Sequence, residues 1–334
     1  MAPGSKVGAH WVFRLLVGGA LLAGSAHAQE CFSGSEIDAA TARAVSAAAR
    51  KYFDMSAQGD VAGLKANALP DVAANFGIIE QAVVADRPYF SQQEPSQTRI
   101  FILDATGSKT VWQRAEFYCG IYNSPDRVGF AIPNLPPGRY ALTIAKVEGK
   151  EPATLTLILQ DTGNNSWKLG GYYARLSSVG AHDGLWFASK AGEFKQKGQT
   201  RNAWFYYLTA WDLLAPVDFM STPQLDKLSD EIQAVHPADL PNPVSPTELA
   251  AGGKNYKITD IAAVPVAGEL YLRLQYEMPD AANSARASQD NTTVMKALLV
   301  RYPEFRDGFA GLIARASDGA GHEYGAVTPM KDVK

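Results

Sequence analysis

Histidine and cysteine are scarce in this chain, and their scarcity removes several chemistries at once. Beyond residue 28 the only histidines are His182, His236 and His322. No two share the i, i+4 spacing of a helical zinc site, and no cysteine pair has zinc-ligand spacing, so no metal is expected. Gly319, Gly321 and Gly325 are not followed by Lys-Ser/Thr and lie between strand-like stretches, so they read as a turn rather than a phosphate loop. A surplus of positive charge is missing as well: 31 basic and 34 acidic residues leave a net −3. That balance argues against nucleic acid or an anionic membrane as partner. Past the N-terminal segment no apolar run approaches the ~20 residues that span a bilayer, so no membrane insertion is expected after it. No nucleophile, metal or cofactor motif stands out, and the expected cofactor is none.

What is present begins with a leader. Lys6 and Arg14 precede a short apolar run from Leu15 to Ala23, and Ala26 and Ala28 are spaced as a cleavage site before Gln29. This is the pattern of a secretory signal peptide over residues 1–28, and it predicts an exported protein, periplasmic or extracellular. Its removal takes away two basic residues and no acid, leaving 29 basic against 34 acidic residues. A hydrophobic content of 46% is that of a packed chain rather than a disordered one. The two cysteines, Cys31 and Cys119, both follow the leader. Export would let them pair; two free thiols, or acylation of Cys31, are the other readings, the last weakened by Gln29 and Glu30 where small residues belong.

Apolar residues at Ile37, Ala40, Ala44, Ala48, Tyr52 and Met55 predict a helix from Ser35 to Ala57, opened by Ser35 with Asp38 and closed at Gly59. Asp60 reads as the cap of a short helix ending before Pro70, and Phe76, Ile79 and Val83 mark a third. After Pro95 the period changes to two. Strands are expected at 98–103, 111–122, 140–147, 153–160 and 166–174, with turns at Thr106-Gly107, Pro136-Pro137-Gly138, Gly149 and 162–165. Short connections require antiparallel pairing, so the class is α+β.

The helix ending in Gly59-Asp60, the short helices after it and the final run Trp167-Lys168-Leu169-Gly170-Gly171-Tyr172-Tyr173 resemble the NTF2-like (cystatin-like cone) superfamily over about residues 36–176. That resemblance implies helices packed on a curved sheet, in a superfamily holding both enzymes and inert binding modules. The loop Asn134-Leu135-Pro136-Pro137-Gly138-Arg139-Tyr140 departs from a cone and looks more like small extracellular β-sandwich modules. An Ig-like or transthyretin-like unit for residues 98–176 is therefore the alternative.

Two helical patterns follow, 184–197 and 200–214, joined at Gly198. Ala191, Phe194, Gly198, Ala203, Tyr207 and Ala210 resemble the small and aromatic positions of one tetratricopeptide repeat, although Lys190 stands at a leucine position. Residues 236–254 carry four prolines and Gly252-Gly253 without periodicity and read as a linker. The remainder orders as strand (256–264), strand (270–276), helix (282–302), strand (310–316) and strand (323–328). The expected layout is thus a leader (1–28), an NTF2-like domain (29–180), a helical hairpin (181–235), a linker (236–255) and a small ββαββ domain (256–334).

For a ligand pocket the best candidate is the strand 111–122. Alternation places Val111, Ala115, Phe117, Cys119 and Ile121 on one face and Trp112, Arg114, Glu116, Tyr118 and Tyr122 on the other. At the mouth of a cone the second face would offer aromatic walls with one acid and one base; otherwise it is an exposed sheet face carrying an Arg114–Glu116 pair. Trp204, Phe205, Tyr206, Tyr207 and Trp211 cover more than one helical face. They are either buried against the first domain or, at Trp204, Tyr207 and Trp211, offered to a partner. Sequons at Asn164 and Asn291 are of chance frequency. The function expected is non-catalytic binding or assembly with an unknown protein or small-molecule partner; a ligand-binding or enzymatic cone is the alternative.

Overall fold

The computed structural model describes residues 29–121 and 124–334, so the leader and Tyr122 lie outside the described residues. The described chain is α+β and falls into two units. One takes the residues up to Val147 with Leu155–Ala174 and Phe219–Ser221; the other takes Glu148–Thr154, Arg175–Asp218 and Thr222–Lys334.

The first unit opens with a strand, β1 (Glu30–Ser33), and a long helix, α1 (Ala39–Gln58). The helix starts at Asp38 rather than Ser35, because the Asp38 carboxylate accepts the N–H groups of both Ala40 and Thr41 and so satisfies two donors the helix leaves unpaired. It ends at Gly59, whose left-handed backbone (φ 72°) returns its N–H to Met55 and Ser56. The buried stripe is Val45, Ala49, Tyr52, Phe53 and Ser56, one residue round from the expected one apart from Tyr52. Three shorter helices follow, α2 (Val61–Ala66), α3 (Pro70–Ala74) and α4 (Gly77–Phe90). Phe53 of α1 meets Phe90 of α4 edge to face at 5.9 Å.

Six strands complete the run: β2 (Pro95–Asp104), β3 (Trp112–Cys119), β4 (Val128–Leu135), β5 (Arg139–Val147), β6 (Ala153–Asp161) and β7 (Trp167–Leu176). They form two sheets, one ordered β1-β2-β5-β6-β7 and one in which β4 lies between β3 and the two-residue strand Met220–Ser221. Phe101, Ile102 and Leu103 of β2 are all buried, so this sheet is covered on both faces at its centre. Phe101 points at Phe130 of the smaller sheet, with ring centroids 5.1 Å apart. On the opposite face Arg139, which pairs with Asp104, donates to Thr41 at the start of α1 (3.4 Å). Tyr52 of α1 donates to the carbonyl of Trp167 on β7 (2.9 Å). Cys31 of β1 and Cys119 of β3 form a disulfide that staples the two sheets together.

β4 has no counterpart among the expected strands. Gly129 and Pro133 hide its alternation, yet Pro133 costs no ladder bond, because Met220–Ser221 pairs only with Phe130 and Gly129. β3 is shorter than expected at both ends. Val111 and Ile121 are exposed rather than facing inward, and Gly120 at φ 85° breaks the strand.

The second unit contains a two-strand ribbon, β8 (Ser178–Val179) with β9 (His182–Asp183), and the helical hairpin α5 (Gly184–Gln196) and α6 (Thr200–Leu214). After β10, which is Met220–Ser221, come α7 (Pro223–Ala234), β11 (Thr247–Ala251), β12 (Lys254–Val266), β13 (Glu269–Glu277), α8 (Ser284–Arg301), α9 (Phe305–Gly308), β14 (Gly311–Ser317) and β15 (Glu323–Pro329). The sheet runs β11 to β15 in order, antiparallel except for β13 and β14, which α8 connects in parallel. Buried Asp290 of α8 accepts from Tyr256 (2.9 Å) and Lys254 (3.0 Å) of β12, clipping helix to sheet.

Two expectations give way here. Residues 236–255 are not a free linker: Leu240 is buried, Arg201 of α6 grips Asp239 with two bonds (2.6 and 3.2 Å), and 247–251 form β11. The second is the expected burial of α6 against the first domain: its aromatic payload is taken up within its own unit. Phe205, Tyr206 and Tyr207 share one apolar core with β12, β13, α8 and β14. Polar ties fix that packing, since Asn202 donates to the carbonyl of Glu304 (2.5 Å) and Tyr206 to that of Gly308 (2.6 Å). The longest exposed run in the proline-rich segment is 242–246.

Candidate functional site

The expected pocket face is an open sheet surface. Trp112, Arg114, Glu116 and Tyr118 alternate outward on β3 while Ala115, Phe117 and Cys119 are buried, which is the assignment alternation gives; Tyr122 lies outside the described residues. Glu116 is fully engaged: Arg114 Nε is 2.6 Å from Oε1, Tyr118 donates to Oε2 at 3.2 Å, and the Glu116 N–H goes to the Gln29 side chain. Trp112 donates to the carbonyl of Ala105 (3.2 Å). The hydrogen bond from Arg114 holds the Glu116 carboxyl below the usual carboxylate range, and the Glu116 charge pushes the Tyr118 phenol up. An ionised, paired and half-exposed carboxylate is not a general acid held in reserve. Glu116→Gln is therefore expected to change stability by under ~0.5 kcal/mol, measured by urea unfolding; a loss several times larger would mean the face is built for more than solvent.

Trp204, Tyr207 and Trp211 do not form a shared exposed surface. Tyr207 is buried, with its hydroxyl near the Lys195–Glu231 pair (2.6 Å), Trp204 lies edge-on to His236 at 5.5 Å, and Trp211 packs half-buried on the core. Burial takes Tyr207 out of the set, while Trp204 and Trp211 each keep part of their surface exposed. The sequon residue Asn291 is fully buried, whereas Asn164 sits in an exposed turn.

A different place in the second unit collects unsatisfied surface. Beside the start of α5 lies a shallow depression of about 600 Å³, walled by Lys150, Pro152, Ser178, His182, Asp183 and Trp186. Local geometry fixes each wall. The N–H of Ser177 bonds the carbonyl of Pro152 (2.7 Å), and the Thr154 and Ser177 hydroxyls meet at 3.1 Å. At the ribbon turn, Gly180 (φ 58°) packs so closely on the β12–β13 turn that a Cβ there would sit 2.3 Å from the Gly268 carbonyl oxygen, so no other residue fits. Asp183 caps α5 by accepting the N–H of Trp186 (2.9 Å). The result is a parallel stack of the His182 and Trp186 rings, 3.7 Å apart and 14° from coplanar, with Trp186 backed edge-on by Phe187 at 5.0 Å. Trp186 keeps 38% of its surface exposed, neighbouring Leu185 keeps 53%, and the Ser178 hydroxyl oxygen is buried without a hydrogen-bond partner.

The first unit holds one more unusual group. Asp86 of α4 is half-buried, and burial alone pushes its carboxyl up to about 6. Burial, and then the Asp86 charge, also push up the phenol of Tyr172 on β7. The neighbouring Ser56 hydroxyl is committed to the carbonyl of Tyr52 (2.7 Å).

Sequence reasoning had singled out neither place, although both leave a trace. Asp86 falls three residues after Val83 and four before Phe90, on the apolar stripe of its helix. His182 and Trp186 are four residues apart across a helix cap, which is a legible pair only once Asp183 is known to be the cap. Among the described residues no three metal-ligating side chains converge. No family model, no curated protein and no solved structure matches this chain.

Proposed function

We propose that this is an exported, non-catalytic binding or assembly protein that receives its ligand in the depression beside α5. The observation that carries the reading is the His182–Trp186 stack, half-exposed at the edge of a concavity that Lys150 and Ser178 also line. Exposed aromatic surface next to polar groups is what a binding site presents and what folding alone does not require. Export is supported by the leader pattern and by the disulfide between Cys31 and Cys119, a bond that persists in oxidising compartments. No helix among the described residues is long and apolar enough to cross a membrane.

For the layout, the helices packed on one face of the larger sheet support an NTF2-like first domain, and the facing smaller sheet supports the sandwich alternative. The pair α5 and α6, joined at Gly198, supports a tetratricopeptide-like hairpin. The second reading, a small-molecule-binding or enzymatic cone, is favoured by Asp86 beside Tyr172, since a carboxyl raised toward neutrality is suited to proton transfer.

The test uses the mature chain from its native host and asks two things. Intact mass is expected to begin at Gln29, and a form retaining Met1 would overturn export. Titration of phenol and of glycerol, followed through the indole N–H resonances, is expected to move Trp186 before the other tryptophans. Uniform or absent shifts would sink the binding reading at this depression.

A further inference from the structure

Resting on that binding reading, we infer that the depression beside α5 takes a carbohydrate, with one face of a pyranose ring against the His182–Trp186 stack and its hydroxyl edge toward Ser178 and Lys150. Three features of the site select this class. Aromatic rings carry negative charge on their faces, and the C–H bonds on one side of a pyranose present a flat, slightly positive surface to them. The two rings here are parallel at 3.7 Å, so they act as one rigid shelf; Phe187 at 5.0 Å and the Asp183 cap hold that shelf in place before any ligand arrives.

The rim supplies the complementary half. Ser178 lines the rim; its hydroxyl oxygen is closed to solvent and without a partner, a costly state that rotation about χ1 toward a sugar hydroxyl would relieve. Lys150 is exposed at the same rim and can donate three hydrogen bonds to sugar oxygens. A purely aliphatic ligand would leave both groups unanswered.

The depth of the site makes the same choice. A concavity of about 600 Å³ that is open to solvent leaves much of any ligand in water. An apolar ligand loses most of its driving force in that position, because what drives it is the area removed from water. A sugar does not, because its outward hydroxyls stay hydrated while one face is covered. An acidic ligand finds Lys150 but also the Asp183 carboxylate within the same walls, so net attraction for anions is small.

The experiment is saturation-transfer NMR on the mature protein with maltotriose, cellotriose and chitotriose, with benzoate as the aromatic-acid control. At least one trisaccharide is expected to receive saturation at its ring C–H protons with a Kd on the order of 1 mM. Trp186→Ala is expected to weaken that binding by at least about tenfold, and Ser178→Ala by a few-fold, the latter guarding against a Trp186 variant that fails to fold. Saturation transfer to none of the three overturns the carbohydrate assignment, and so does binding that both variants leave unchanged. Binding of benzoate or phenol alone overturns the sugar class while leaving the depression a binding site; silence from every probe removes both.

Discussion

Replacing Cys31 and Cys119 together with serine is expected to lower the stability of the first unit by about 4 kcal/mol. The two half-cystines are 88 residues apart in sequence, and closing a loop of that length removes roughly 4–5 kcal/mol of chain entropy from the unfolded state. The native side adds to this. Cys119 is 2% exposed, so a serine there would bury a hydroxyl among apolar neighbours, a further cost on the order of 1 kcal/mol. The bridge joins β1 of the larger sheet to β3 of the smaller one, so its loss should loosen the seam between the two sheets before it touches the helices. Hydrogen exchange read peptide by peptide is the suitable measurement, because it separates this unit from the other. Faster exchange is expected in 112–119 and 128–135 first, with little change in 247–277. A stability loss under ~1 kcal/mol, or quantitative labelling of both thiols in unfolded, unreduced protein, would contradict the assignment.

How much of this was legible in the sequence depends on whether the controlling interaction is local. The Asp60 cap, the Gly59 stop and the turn residues that bound β5 and β6 are written within a few residues, and their elements are where those signals put them. The cap of α1 is less so, because Ser35 and Asp38 both look suitable and the choice is made by which oxygen reaches two N–H groups. β4 escaped because its second neighbour lies far along the chain, and Pro133 is tolerated only because that strand, Met220–Ser221, is two residues long. β11 is local, paired with β12 across Gly252-Gly253 from Thr247 to Ala251, but the prolines just before it made the whole stretch look like a linker. The density of aromatics on α6 correctly implies burial. It says nothing about which neighbour does the burying, and Asn202, fully buried and bonded to Glu304, was a clue of the same non-local kind. For the site, the β3 face was read to the residue except at its ends. Its chemistry could not be read, because pairing between Arg114 and Glu116 looks the same in sequence whether the face is covered or open.

Asp86 supplies the other large effect, with a definite sign. Its folded carboxyl sits at about 6 against an ordinary value of 3.8, so the folded protein prefers it protonated. Below about pH 3.8 the group is neutral in both states and costs nothing; as pH rises through 6 the folded state must either ionise a half-buried carboxyl or hold its proton at a cost, and stability is lost. The full shift corresponds to about 3 kcal/mol, and screening by the solvent that still reaches the group reduces this to about 2 kcal/mol. Asp86→Asn is therefore expected to be more stable than the wild type by about 2 kcal/mol near pH 8 and equal to it near pH 3. Tyr172, its raised neighbour, stays neutral across that window and cancels in the comparison. Urea unfolding of both proteins at the two pH values is the check. If the variant is weaker near pH 8, the carboxylate is making a stabilising contact and the burial argument fails. If the variant follows the wild type throughout, Asp86 titrates as an ordinary surface acid, and the case for proton-transfer chemistry beside Tyr172 goes with it.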